Sequence, residues 1–184
     1  FTNGAVTIRA PGFYDGDDVY RIRFSPPETG QWRWRVESDL AALNGREGQF
    51  EAAVPQPGNQ GPVGVIEDYH FAHADGTPFR QIGTTSYGWT HQPEARRRLT
   101  LETLRNSPFN KLRMLVFPNA TIDTNEAVFP YEKSGPGARD WDFTRFNPAY
   151  FQRLDACVAA LCDLNIQADV ILFHPYDETY GFEE

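Results

Sequence analysis

The sequence predicts two architectures in series, a small β-sandwich followed by a parallel α/β unit. Three observations lead there. Apolar and polar residues alternate with period two through the first third of the 184-residue chain, a Pro- and Gly-rich stretch interrupts them at 55–62, and strands alternate with helices beyond it.

In the first segment, Tyr20, Ile22 and Phe24 share one face of a strand at 19–24, and Arg21 and Arg23 share the other. After the turn from Ser25 through Pro26, Pro27 and Gly30, the alternation returns with Trp32, Trp34 and Val36 opposite Arg33, Arg35 and Glu37. These two strands are expected to form an antiparallel hairpin. Further strands are expected at 5–9 and 49–54, with turns at 12–17 and at Asn44-Gly45. Four strands fall short of the roughly seven of a complete sandwich, so its first strands are expected to be missing. The segment 55–62 carries Pro55, Pro57, Gly58, Gly61 and Pro62, which suit neither sheet nor helix, and it is read as the linker closing a module of residues 1–66.

Over 67–184 the pattern changes. A strand is expected at 79–84, then a helix at 93–105 with Pro93 near its first position. A strand at 112–117 is apolar except for Arg113, as suits a buried parallel strand. The next helix has Asn147 as N-cap, Pro148 after it, and Phe151, Leu154, Val158 and Leu161 at helical spacing, ending near Asn165. A third strand follows at 168–173. This βαβαβ order implies a parallel sheet, open or closed into a barrel. Neither GxGxxG nor GxxxxGK[ST] follows any strand, which disfavours a dinucleotide-binding open sheet and favours the barrel.

Composition excludes several partners. The net charge of −8 disfavours nucleic acid and anionic membranes, and Arg96, Arg97 and Arg98 read as a solvated helix face. No apolar run has the length of a membrane helix. Cys157 and Cys162 lie five apart on a helix, too far apart to bridge. They are expected to be free, core-facing thiols, which favours a reducing, cytoplasmic compartment. The chain starts at Phe1, so an export signal is left open, as is the oligomeric state. His70 and His73 lack further ligands at metal spacing; no metal, no cofactor and no Ser-His-Asp or Cys-His set is expected.

Function in a parallel α/β unit gathers at the carboxyl ends of its strands. Trp89 and His91 follow the first strand, Asn119 the second, and His174, Tyr176 and Asp177 the third. Aromatic faces and short polar groups of this kind suit sugars, so a carbohydrate partner is expected. The connection 118–147 is far longer than the usual two to six residues of such loops. It holds Asn119, Asp123, Asn125, Glu126, Tyr131, Glu132 and Trp141, and is read as a lid or wall of a substrate cleft. Arg113, expected to be buried, needs a carboxylate partner, in a structural ion pair or one that orients an active-site group. His174 is placed to join that network or a ligand.

At these residues the chain resembles a known group. The run from Gly12 through Asp15-Gly16, Tyr20 to Pro26 and Thr29 to Trp32 is similar to the N-terminal β-sandwich module of certain bacterial glycoside hydrolases. Asp75 to Phe79, Ile82 to Thr85, Phe109 to Arg113, Trp141 to Phe143 and Asn147-Pro148 resemble the first strands of their cellulase-like (β/α)8 barrels. The resemblance implies an incomplete immunoglobulin-like sandwich followed by the first three βα units of a TIM barrel. It implies an enzyme that hydrolyses O-glycosyl bonds of a poly- or oligosaccharide with retention, with Arg113 and His174 in supporting positions. Such enzymes use two glutamates about 5 to 5.5 Å apart, at the ends of strands four and seven. Glu178, Glu183 and Glu184 follow strand three and are not assigned that role. Residues 67–184 are less than half of the roughly 250 that a barrel needs, so the chain is expected to be an inactive fragment that exposes open sheet edges and aggregates. The alternative is a non-catalytic carbohydrate-binding protein with a degenerate barrel.

Overall fold

The computed structural model describes residues 1–4, 6–117, 129–137 and 140–173. The chain divides into two compact units, Phe1–Phe79 and Arg80–Glu184.

In the first unit, β1 (Thr2–Asn3) and β2 (Val6–Thr7) form a hairpin. β1 also pairs with β5 (Gly30–Arg35), and β5 with β6 (Glu47–Ala52), giving an antiparallel sheet in the order β2-β1-β5-β6. Trp32 is fully buried beside Phe24 (5.0 Å between ring centroids), which stacks on Phe1 at 4.0 Å. Its indole N–H donates to the Glu28 carbonyl at 3.0 Å, so the ring's one polar group is satisfied inside the core.

The expected pairing of 19–24 with the tryptophan strand does not occur. Instead β4 (Tyr20–Ile22) pairs with β3 (Gly12–Tyr14), which lies in the segment read as a turn. The reason is local. Gly16, Asp17 and Asp18 take positive φ (87°, 48° and 59°), and the Asp15 N–H donates to the Val19 carbonyl at 2.8 Å, closing a tight reversal. Pro26 and Pro27 offer no N–H to continue a ladder, so the longer connection leads to a separate sheet.

Another hairpin, β7 (Val63–Ile66) with β8 (His70–His73), was not foreseen. It turns at Glu67 and Asp68, both in the left-handed region (φ 48° and 64°). The boundary expected after residue 66 falls in this turn, and the hairpin belongs with the first unit.

The second unit contains the βαβαβ order. β9 (Gly83–Thr85) is followed by a 3-10 turn (Trp89–His91) and α1 (Glu94–Arg105), then β10 (Lys111–Leu115). β11 (Tyr131–Lys133) and β12 (Trp141–Phe146) form an antiparallel hairpin inside the long connection. α2 (Pro148–Cys162) and β13 (Gln167–Ile171) complete the unit. β10 pairs in parallel with β9 on one side and β13 on the other. Leu112, Met114 and Ile166 pack with Leu104 of α1 and with Cys157 and Leu161 of α2 in one buried cluster.

α2 starts where its sequence says it should. The Asn147 side chain accepts from the Ala149 N–H at 3.1 Å, and Pro148 occupies a position whose N–H would lack a helical partner. Asn147→Ala is expected to lower stability by about 1 kcal/mol, read as a shift of the urea midpoint with the slope unchanged.

Both cysteines are free, but only Cys157 faces the core; Cys162 is exposed. Five residues turn a helix by roughly 500°, so the two cannot share one face. Arg97 likewise departs from its solvated neighbours, its guanidinium reaching Cys157 Sγ at 4.0 Å. Among the described residues, no helix is long and apolar enough to cross a membrane.

Candidate functional site

Strand alternation separates the parallel sheet into two faces. Leu112, Met114 and Ala168 meet both helices. Arg113 and Asp169 lie on the other face, with Leu115 and Ile171 one step further along and Phe117 and Phe173 one step beyond. The face therefore runs from an ion pair, through aliphatic residues, to aromatic rings at the carboxyl ends of the strands.

The Arg113 guanidinium donates to Asp169 at 2.9 Å from the directly opposed register position. Its side chain is 54% exposed, contrary to the expected burial, because it stands on the face opposite the helix-packed cluster of Leu112 and Met114. The carboxylate partner is thus a neighbour in the sheet.

Phe117 stacks on Tyr131 of β11 at 5.8 Å and on Phe173 at 5.6 Å, and Tyr131 also contacts Phe143 at 5.0 Å. Phe143 and Phe173 remain exposed. This aromatic group was largely missed in the sequence. Of these rings the sequence marks only Tyr131 as a candidate; the available signal was that Phe117 and Phe173 follow Leu115 and Ile171, the last residues of β10 and β13, on the Arg113 and Asp169 parity.

Three residues expected to touch substrate are buried instead. Trp89 is 2% exposed, and its indole N–H donates to Met114 Sδ at 3.1 Å, inside the helix-facing core. Trp141 packs against Phe129 at 4.9 Å under the Lys133 ammonium, 3.7 Å from the ring centroid. His91 is 4% exposed and stacks on Tyr150 of α2 at 5.9 Å. These large rings give more stabilisation as packing than as a solvated platform, and the short 3-10 turn directs two of them inward. The structure does not bring them together with Arg113. Asn119, His174, Tyr176 and Asp177 lie outside the described residues.

Burial pushes the His91 pKa down to about 4, with the nearby Arg153 charge adding to the fall and a hydrogen bond to the Leu115 backbone opposing it. Neutral His91 is therefore the folded form near pH 7. Tyr150 beside it is held far above the ordinary phenol range, chiefly by the same desolvation. Neither group is prepared for proton transfer to an outside ligand. No group of three or more His, Cys, Asp or Glu side chains converges as a metal set among the described residues.

Residues 1–39 match the model of a domain of unknown function, DUF5060. The chain resembles, over most of its length, a crystal structure from Bacteroides vulgatus ATCC 8482 described as a "putative glycoside hydrolase". The two are 42% identical, with a TM-score of 0.86, over 94% of this chain and 36% of that one. The chain therefore spans about a third of that protein's length. A second structure, described as a glycoside hydrolase, covers 61% of this chain and 25% of its own at 16% identity and a TM-score of 0.48. No curated protein matches the chain.

Proposed function

We propose that the chain is part of a glycoside hydrolase that cleaves O-glycosyl bonds of a poly- or oligosaccharide. The observation that carries this is the 42% identity, sustained over 94% of the chain, to a protein so described. In this reading the first unit belongs to an incomplete immunoglobulin-like sandwich, and the second supplies the first three βα units of a (β/α)8 barrel. Support comes from the sequential strand order β9, β10, β13 and from both helices lying on one face. A doubly wound sheet would place helices on both faces, whereas a barrel surrounds its strands with them.

The face that carries Arg113 and Asp169 would then line the barrel interior. Arg113, held by Asp169, would be a positioning residue beneath the site, and the exposed ring of Phe173, backed by the buried Phe117 stacked on it, would offer apolar surface to a sugar at the strand ends. His174, Asn119, Tyr176 and Asp177 follow the same strands in the sequence. The acid/base and nucleophile would come from later strands as a retaining pair of glutamates, so this chain by itself would be inactive.

The complete protein should release product from at least one member of a panel of aryl glycosides and plant or bacterial polysaccharides. Absence of hydrolysis across the panel would overturn the enzymatic reading and leave the non-catalytic carbohydrate-binding alternative.

A further inference from the structure

The inward turn of Trp89 and His91 leaves a different residue of the same loop at the carboxyl end of β9. Over 86–92, Tyr87 carries the one exposed side chain, at 49%; Ser86 and Gln92 are half-buried, and Trp89, Thr90 and His91 are buried. Tyr87 belongs to neither buried cluster of its unit. Among the described residues its hydroxyl makes no hydrogen bond.

The residue is exposed without being loosely held. The Ser86 N–H donates to the Arg113 carbonyl at 3.0 Å, and the Leu115 N–H donates to the Tyr87 carbonyl at 2.9 Å. Its backbone is therefore tied to β10 between Arg113 and Leu115. The Trp89 N–H donates to the Ser86 carbonyl at 3.4 Å, which closes a turn with Tyr87 and Gly88 at its tip, and Gly88 has the φ of −106° and ψ of 16° that suit its third position. Beyond the tip, the Trp89 indole donates to Met114 Sδ and the His91 ring hydrogen-bonds to the Leu115 backbone. The same packing that removes Trp89 and His91 from solvent fixes the base on which Tyr87 stands. A tyrosine on a free loop would lose backbone entropy on meeting a ligand, whereas here that cost falls on folding.

The position matches the chemistry. β9 and β13 flank β10, so Tyr87 and Phe173 follow strands about 10 Å apart on either side of the strand that carries Arg113. Phe173 offers only an apolar face. Tyr87 offers a ring together with a neutral hydroxyl that both donates and accepts, as a sugar hydroxyl requires of its partner.

We propose that Tyr87 is the substrate contact of the first βα loop, its hydroxyl hydrogen-bonded to a sugar hydroxyl and its ring lining the β9 side of the cleft. This rests on the carbohydrate reading given above and names the side chain that distinguishes one sugar hydroxyl from its absence.

The test is steady-state kinetics of the complete protein on p-nitrophenyl glycosides and their monodeoxy analogues. Tyr87→Phe, Tyr87→Ala and Trp89→Phe are compared with the wild type. Tyr87→Phe keeps the ring and removes the hydroxyl, so kcat/KM should fall about 3- to 10-fold on the parent glycoside, the range for one neutral hydrogen bond. On the analogue that lacks the contacted hydroxyl it should be unchanged. Tyr87→Ala should lose more, because the ring goes too. Trp89→Phe alters packing only, and should lower Tm while keeping the wild-type ratio of parent to analogue. Unchanged kcat/KM in Tyr87→Phe, or an equal loss on the parent and every analogue, would overturn the assignment and leave the hydrolase standing. So would a lower Tm with unchanged kinetics, since the ring would then serve packing. A wild type that cleaves none of the glycosides defeats the hydrolase, and calorimetric titration with xylan, galactan and dextran then decides for Tyr87. Weaker binding by Tyr87→Phe upholds the contact; equal binding, or none by either protein, overturns it.

Discussion

Leu112→Ala should cost the second unit about 2 to 5 kcal/mol, the range for truncating a fully buried leucine in a core that relaxes only in part. Leu112 has no solvent exposure and packs in the cluster with Met114, Leu104, Cys157 and Leu161, where both helices meet the sheet. Its backbone lies in the central strand, paired to Thr84 on one side and Ala168 on the other. A collapsing helix cannot fill the void without disturbing those ladders, which places the effect toward the upper end. Hydrogen exchange of the α2 amides, followed with urea, would measure it locally. A loss below about 1 kcal/mol would mean that the helices do not close on the sheet as described.

Acidification should destabilise the same unit through His91. Its pKa is about 4 when folded, against 6.5 for the free side chain. Between these values the unfolded chain binds the proton and the folded one does not, so protonation draws the equilibrium toward unfolding. The stabilisation is fully present above pH 6.5, declines as pH falls and is lost by about pH 4. A difference of this size corresponds to roughly 3 kcal/mol. His91→Phe keeps a ring against Tyr150 and removes the titration. The difference in pH slope between wild type and variant, which cancels the carboxylates common to both, isolates the histidine. Equal slopes would place His91 in contact with water.

Much of the second unit was legible in the sequence. Asn147-Pro148 and the helical spacing from Phe151 to Leu161 located α2, and the apolar run around Leu112 and Met114 located the central strand, because caps and periodicity act within a few residues of chain. The first unit was legible in its strands but not in their pairing. Alternation at Tyr20 and Ile22 is equally compatible with a partner before or after it, and the positive φ of Gly16, Asp17 and Asp18 decided for the strand before. The hairpin Tyr131–Lys133 with Trp141–Phe146 was hidden in what read as loop, its strands being short and separated by a polar connection.

The candidate site divided the same way. Arg113 was identified from a charge in an apolar strand, and its partner Asp169 became visible only when the parallel register set the two side by side. Trp89, His91 and Trp141 were chosen because they are aromatic or polar near strand ends, and the structure spends all three on packing. Residue type says that a ring can stack on a sugar; it does not say which way the ring points.

By itself, the sequence determined the existence and type of the long elements, the change from period two to alternating strands and helices, and the absence of a phosphate-binding loop. Those follow from local sterics, capping and the burial of one face. The tertiary structure alone decided which strands pair, which face of the parallel sheet the helices pack on, and how Arg113 and Asp169, 56 positions apart, come to oppose each other. Such contacts join residues tens of positions apart, and many registers satisfy the same local pattern until packing selects one.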